Sequence, residues 1–175
     1  MSVIFGGSFG DIVVLDIDDV YPQSIWNGYI EDKARRISDR FELGDCLIVL
    51  SSYHTKGDCL DWSGVNYHLV YDRIVPWLRV FQIIVQLAKE GKIDKRLAKM
   101  NMMRGDFTTR FTEKTPGGFV PFPIGYARNG RPKEGYTGGG IKKWLSQWKI
   151  ARKISSKSRQ FENPARIARE TPEIS

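Results

Sequence analysis

Two cysteines and two histidines are all that this 175-residue chain offers for thiol or imidazole chemistry. Cys46 and Cys59 form no CxxC pair, and His54 and His68 stand at no motif spacing from a serine or cysteine. Zinc sites and nucleophile–base pairs therefore have no sequence support, and no metal or cofactor is expected. Two thiols, with no basic-then-apolar leader over Met1–Gly10, predict a reduced, cytosolic setting. Long apolar runs are missing too. The longest, Ile74–Ala88, is interrupted by Pro76, Arg79, Gln82 and Gln86, and falls short of the roughly 20 residues a bilayer span requires. Such a chain can lie on a membrane but not cross one. The most informative absence is local: between Ile141 and Gln160 there are seven cations and no carboxylate.

That stretch is the extreme of a wider asymmetry. Residues 1–85 hold seven Lys/Arg against twelve Asp/Glu, whereas residues 86–175 hold twenty against eight. The formal charge of +7 is thus gathered in the second half, the pattern of a surface that meets polyanions. Apolar and charged fractions are those of a globular chain, and the length suits one domain burying roughly two-thirds of its extended surface.

Ile12–Ile17 (IVVLDI) and Cys46–Leu50 (CLIVL) read as buried strands, and Tyr67–Tyr71 as a third. Ser24 is placed to cap a helix running to about Arg40, with Trp26, Ile30, Ala34 and Ile37 at helical spacing. Ser51–Gly64 reads as a polar loop. Pro76 and Gly91 bracket a helix over Val75–Glu90, apolar on most sides and expected at the centre of the core. A helix over Lys92–Met103 and a strand through Phe107, Thr109 and Phe111 follow. Thr115–Gly140 carries four prolines and eight glycines, too many for a regular element. The expected fold is α+β: a small mixed sheet packed on a central apolar helix, a long Gly/Pro-rich loop, and a C-terminal basic amphipathic helix. Its divisions are a core over residues 1–114, the loop 115–140, the helix 141–154 and a polar tail 155–175.

On the last helix Ile141, Trp144, Leu145 and Trp148 form one apolar stripe, with Lys142, Lys143, Lys149, Arg152 and Lys153 mostly off it. Aromatic anchors beside a cationic face are the recipe for binding anionic lipid, and the same cations can neutralise RNA phosphates. Arg128, Arg131 and Lys133, interleaved with Tyr126 and Tyr136, form a secondary basic loop suited to single-stranded bases. Gly138–Gly140, just before the helix, reads as a hinge that could present backbone N–H groups to an anion.

Two resemblances bear on function. Asp16-Ile17-Asp18, closing IVVLDI, resembles the opening motif of haloacid-dehalogenase-type phosphatases, with Ser51 or Ser52 after CLIVL similar to their second motif. That resemblance implies Asp16 as nucleophile, Asp18 as general acid and Mg²⁺ as metal. The chain departs from it at Val20 and has no later apolar strand ending in paired acids. The layout of FGDIVVLDIDDVYPQSIWNGYIEDKARRI followed by DCLIVLSS, in a basic protein of about this size, resembles the rhabdovirus-type viral matrix proteins, in particular the plant-infecting branch. It lacks their PPxY or PTAP motifs. This second resemblance implies a non-enzymatic structural protein of the virion and host cytoplasm, associated with membrane. Its partners would be the viral ribonucleoprotein or single-stranded RNA, an anionic membrane surface and further copies of itself. A basic RNA-binding accessory protein, a silencing suppressor or movement protein, is the alternative.

Overall fold

The computed structural model describes residues 2–5, 11–20, 28–56, 59–96, 98–99, 107–110, 120–129 and 134–161. In chain order the elements are β1 (Ser2–Phe5), β2 (Asp11–Val20), α1 (Tyr29–Phe41), β3 (Cys46–Lys56), β4 (Cys59–Val75), α2 (Trp77–Lys89), β5 (Phe107–Arg110), β6 (Phe122–Ala127) and α3 (Gly140–Phe161). The class is α+β. Strands β2-β4-β3-β6 form the main sheet and β1-β5 a separate ribbon. Every pairing is antiparallel, so the expected mixed sheet is corrected. β2 and β3, which α1 connects, run in the same direction, but β4 is inserted between them, so neighbouring strands of the main sheet are all antiparallel.

Strand alternation loads both faces of this sheet. Val13, Leu15 and Ile17 of β2, Cys46, Ile48 and Leu50 of β3, and Tyr67, Leu69 and Tyr71 of β4 share one buried cluster with α1 and α2. The intervening residues Ile12, Leu47, Val49 and Val70 face the other way, against Trp144 and Ala151 of α3. A period of two on consecutive strands, apolar at both parities, is what a sheet covered on both sides requires. The helix over Trp77–Lys89 is therefore not a lone centre. It buries Val80, Ile83, Ile84 and Leu87 but leaves Leu78 72% exposed, and it shares its face of the sheet with α1.

Three other expectations change. The polar stretch 51–64 is largely strand: β3 continues to Lys56 and pairs with β4 from Cys59, with Lys56 opposite Cys59. The sequence carries the signal, since Gly57-Asp58 between β-forming residues is a two-residue hairpin composition. Inside the Pro/Gly-rich segment, Phe122–Ala127 forms edge strand β6 against β3. Pro123 is tolerated there because an edge strand has one side without ladder bonds, and the pairing shifts register beside it. The first helix begins at Tyr29 behind Gly28, whose φ is 72°, while Ser24 and Trp26 lie outside the described residues. Of the expected helix over Lys92–Met103, residues 92–94 are not helical, 95–96 and 98–99 are, and 97 and 100–103 lie outside the described residues.

The start of α3 is pinned from β4. Asp72 Oδ1 accepts the backbone N–H of Gly139 at 3.1 Å and of Ile141 at 3.3 Å. The Tyr136 hydroxyl donates to Asp72 Oδ2 at 3.0 Å. Burial, reinforced by this carboxylate, raises the Tyr136 phenol above its ordinary range, so it stays a donor. A side chain at Gly140 would meet the carbonyl oxygens of Tyr71 and Asp72 at 2.6 and 2.7 Å. Glycine is needed there because the helix lies on the strand's backbone. The backbone N–H groups at the start of α3 thus do meet an anion, the protein's own Asp72.

Replacing Asp72 with alanine frees two helix N–H groups and the Tyr136 hydroxyl together. We expect a loss of about 1–3 kcal/mol in urea unfolding, with hydrogen exchange accelerated first in the opening turns of α3. Unchanged exchange there would show that the cap does not hold the helix.

Candidate functional site

Two groups of residues on the α3 side of the sheet carry chemistry. The first is the cationic helix. Opposite the buried Trp144–Ala151 line, Lys142, Lys149 and Lys153 recur at i, i+7 and i+11 along one exposed edge. Lys143 and Arg152 are exposed to either side of it. Arg128, beyond the end of β6, is exposed, whereas Arg131 and Lys133 lie outside the described residues.

The two indoles do not accompany those cations. Trp144 is 0% exposed and packs with Ile12, Leu47, Val49 and Val70. Trp148 is half-buried, stacks on Trp144 with ring centroids 6.3 Å apart, and donates from Nε1 to the Pro121 carbonyl at 2.7 Å. The Arg152 guanidinium lies 4.9 Å from the Trp148 ring centroid. This corrects Trp144 as a lipid-facing anchor, while Trp148 stays partly exposed. The apolar stripe that satisfies the interfacial recipe is the one the sheet needs, and sequence alone cannot say which partner takes it.

The second group was not legible as a group. Asp16 and His68 are directly opposed on β2 and β4, and Val49 opposes His68 on β3. Beyond Val49 the β3–β4 register shifts between Leu50 and Ser52. Ser51, two residues past Val49, is on the same face by strand alternation and meets His68, while the bulge brings Ser52 opposite Asn66. Ser51 Oγ lies 2.8 Å from His68 Nε2, and Asp16 Oδ1 lies 2.9 Å from the same nitrogen. Asn66 donates to Ser52 Oγ at 2.8 Å on the neighbouring rung. Ser51 and His68 are each 4% exposed.

Serine, histidine and aspartate in a row invite comparison with a nucleophilic triad, and the geometry decides against it. In a triad the carboxylate accepts a hydrogen bond from Nδ1–H, which leaves Nε2 free to accept from the serine. Here both oxygens converge on Nε2, and His68 Nδ1 has no partner among the described residues. An Nε2–H that donates to Asp16 cannot at once deprotonate Ser51. The arrangement is a buried polar clasp joining β2, β4 and β3. Asp16, read from the motif as a phosphoryl nucleophile, is held by that imidazole, and Asp18 is exposed two residues on. Among the described residues no group of three or more His, Cys, Asp or Glu is placed to hold a metal ion, so the Mg²⁺ site implied by the phosphatase resemblance is not assembled there.

Cys46 is fully buried, and its removal from water pushes the thiol well above its ordinary range. It is a core residue without nucleophilic character. Replacing His68 with leucine strands the Ser51 hydroxyl and the Asp16 carboxylate beside an apolar group. Stability should fall by about 1–3 kcal/mol in denaturant titration, whereas Asp16→Asn, which leaves an acceptor on Nε2–H, should cost less. Equal losses for the two variants would contradict the clasp.

Compared with known proteins, the chain matches no family model, no curated protein and no solved structure.

Proposed function

We propose that the protein is a non-enzymatic scaffold of the viral matrix type, which engages a ribonucleoprotein through the outer edge of α3. The observation that carries this reading is the line Lys142, Lys149 and Lys153, exposed on the side of the helix opposite its buried stripe. No carboxylate occurs on this helix anywhere in its length. Three ammonium groups in line, with Lys143 and Arg152 beside them, suit a phosphate backbone, which is recognised by charge alone.

The burial of Trp144 shapes the proposal further. Contact with an anionic membrane in this reading is electrostatic, at about 1 kcal/mol per cation near the leaflet, with no indole inserted. Single-stranded RNA is the better polyanion for such a surface, because its charges are closely spaced and release condensed counterions on binding. Head-to-tail association of copies, with acidic residues of one meeting cations of the next, belongs to the same proposal.

The test is the salt dependence of binding to single-stranded RNA. Each phosphate neutralised contributes about 0.7 to the slope of log affinity against log salt. Lys142→Gln, Lys149→Gln and Lys153→Gln together should flatten that slope by about 2 and leave the fold intact, since all three side chains are exposed. A slope unchanged in the triple variant would remove α3 from the interface and end this reading.

A further inference from the structure

The first half of the chain carries a net negative charge, yet its helix α1 lines one wall of a cleft with cations. On α1, Tyr29, Lys33, Arg36 and Arg40 follow one another at i, i+4, i+7 and i+11. They face Glu90 and Lys92, just past the end of α2, across a cavity of about 450 Å³. Ile37 and Leu87, both buried, form its apolar floor. That volume lies in the range of small-molecule sites, which are concave, partly apolar, and provided with a few convergent polar groups.

Among the described lining residues four cations meet one carboxylate, and that carboxylate is engaged. Arg40 donates to both Glu90 oxygens, at 2.6 and 2.7 Å. This bidentate pair closes one side of the cleft and fixes the Arg40 fork. Among the described residues no carboxylate forms an ion pair with Lys33, Arg36 or Lys92. The acids of α1 are occupied elsewhere: Glu31 and Asp32 both pair with Arg35, outside the cleft. The Gln86 and Leu87 carbonyls accept from Glu90 and Lys92 N–H, and that of Ala88 from Gly91.

We propose that this cleft binds a nucleoside phosphate, with the phosphates between Lys33, Arg36 and Lys92 and the base against Tyr29. Lys33 and Lys92 line the same cleft from opposite walls. Burial, and then the field of Lys92, hold the Lys33 ammonium below the ordinary lysine range, a cost that an anion seated between them would relieve. Tyr29, 47% exposed at the mouth of the cleft, offers a ring on which a base can stack. The site lies on the α1–α2 face of the sheet, opposite α3, and does not depend on the RNA reading of that helix.

Calorimetric titration of the full chain with ADP, inorganic pyrophosphate and a short 5′-phosphorylated oligoribonucleotide tests the proposal. ADP should bind about tenfold more tightly than pyrophosphate because only ADP stacks, and Tyr29→Ala should abolish that difference. Lys33→Gln and Lys92→Gln should each weaken ADP about tenfold or more. Lys33→Arg, which keeps the charge, controls for folding. Affinity should also fall as alkaline pH neutralises Lys33, earlier than an ordinary lysine would. The variant Lys142→Gln/Lys149→Gln/Lys153→Gln should bind ADP as the parent does, which separates this site from α3. ADP and the oligoribonucleotide binding competitively would assign the site to nucleotides both free and in a chain; ADP binding alone would restrict it to the free form. No heat with ADP or oligoribonucleotide at millimolar concentration would overturn the proposal. So would folded Lys33→Gln and Lys92→Gln proteins that bind as well as the parent.

Discussion

The seating of α3 on the sheet determines what the rest of the molecule can present. Asp72 fixes where the helix starts, and Trp144 fixes which side of it is turned inward. Burying an indole of about 200 Å² is worth about 5 kcal/mol, several times the about 1 kcal/mol that one lysine gains near an anionic leaflet. Lifting the helix to put its aromatic stripe into a membrane would also bare Ile12, Leu47, Val49 and Val70 to water. The comparison favours the docked helix. Its apolar side is therefore a structural surface, and only the charged side remains for a partner.

The same docking explains how a strand pair can hold a buried histidine. Beyond the apolar rungs of the α3 face, β2, β4 and β3 present Asp16, His68 and Ser51 in a row. A polar rung at that depth persists only because each member meets another, since an unpaired buried polar group costs about 1–3 kcal/mol. Ser51 reaches His68 by ordinary alternation from Leu47 and Val49, and the bulge between Leu50 and Ser52 puts a second hydroxyl, that of Ser52, opposite Asn66. Asn66, meeting Ser52, extends the same logic by one rung. The row joins three strands.

Local pattern in the chain carries the strands at IVVLDI and CLIVL, the helix bracketed by Pro76 and Gly91, and the α3 stripe. Each is set by contacts within a few residues. What local pattern does not carry is partnership. His68 finds Asp16 and Ser51 through strand register, and no spacing rule encodes a register across 52 and 17 residues. Strand β6 hides among prolines and glycines because one apolar edge strand gives little alternation to read. Gly57-Asp58 shows the opposite case, a hairpin signal present in the sequence but outweighed by the polar residues around it. The membrane-anchor expectation fails for a further reason. An amphipathic helix states that it has a partner without stating whether that partner is lipid or the protein's own sheet.

Charge shows most clearly why counts along a chain mislead about surfaces. The half with more carboxylates than cations folds its helix α1 so that Lys33, Arg36 and Arg40 share one flank, while Glu31 and Asp32 meet Arg35 on another. Helical periodicity sorts these residues into a positive cleft and a self-neutralised exterior, although the segment sums to nearly nothing. The second half does the same more openly, turning Lys142, Lys149 and Lys153 to solvent because Trp144 and Ala151 occupy the other side. Cation-lined surfaces therefore lie on both sides of one sheet, one a convex line suited to an extended phosphate chain and the other a concave site suited to a single nucleotide. A polyanion long enough to follow α3 is too large for the cleft except at an end, so the two surfaces discriminate by shape where charge alone would not.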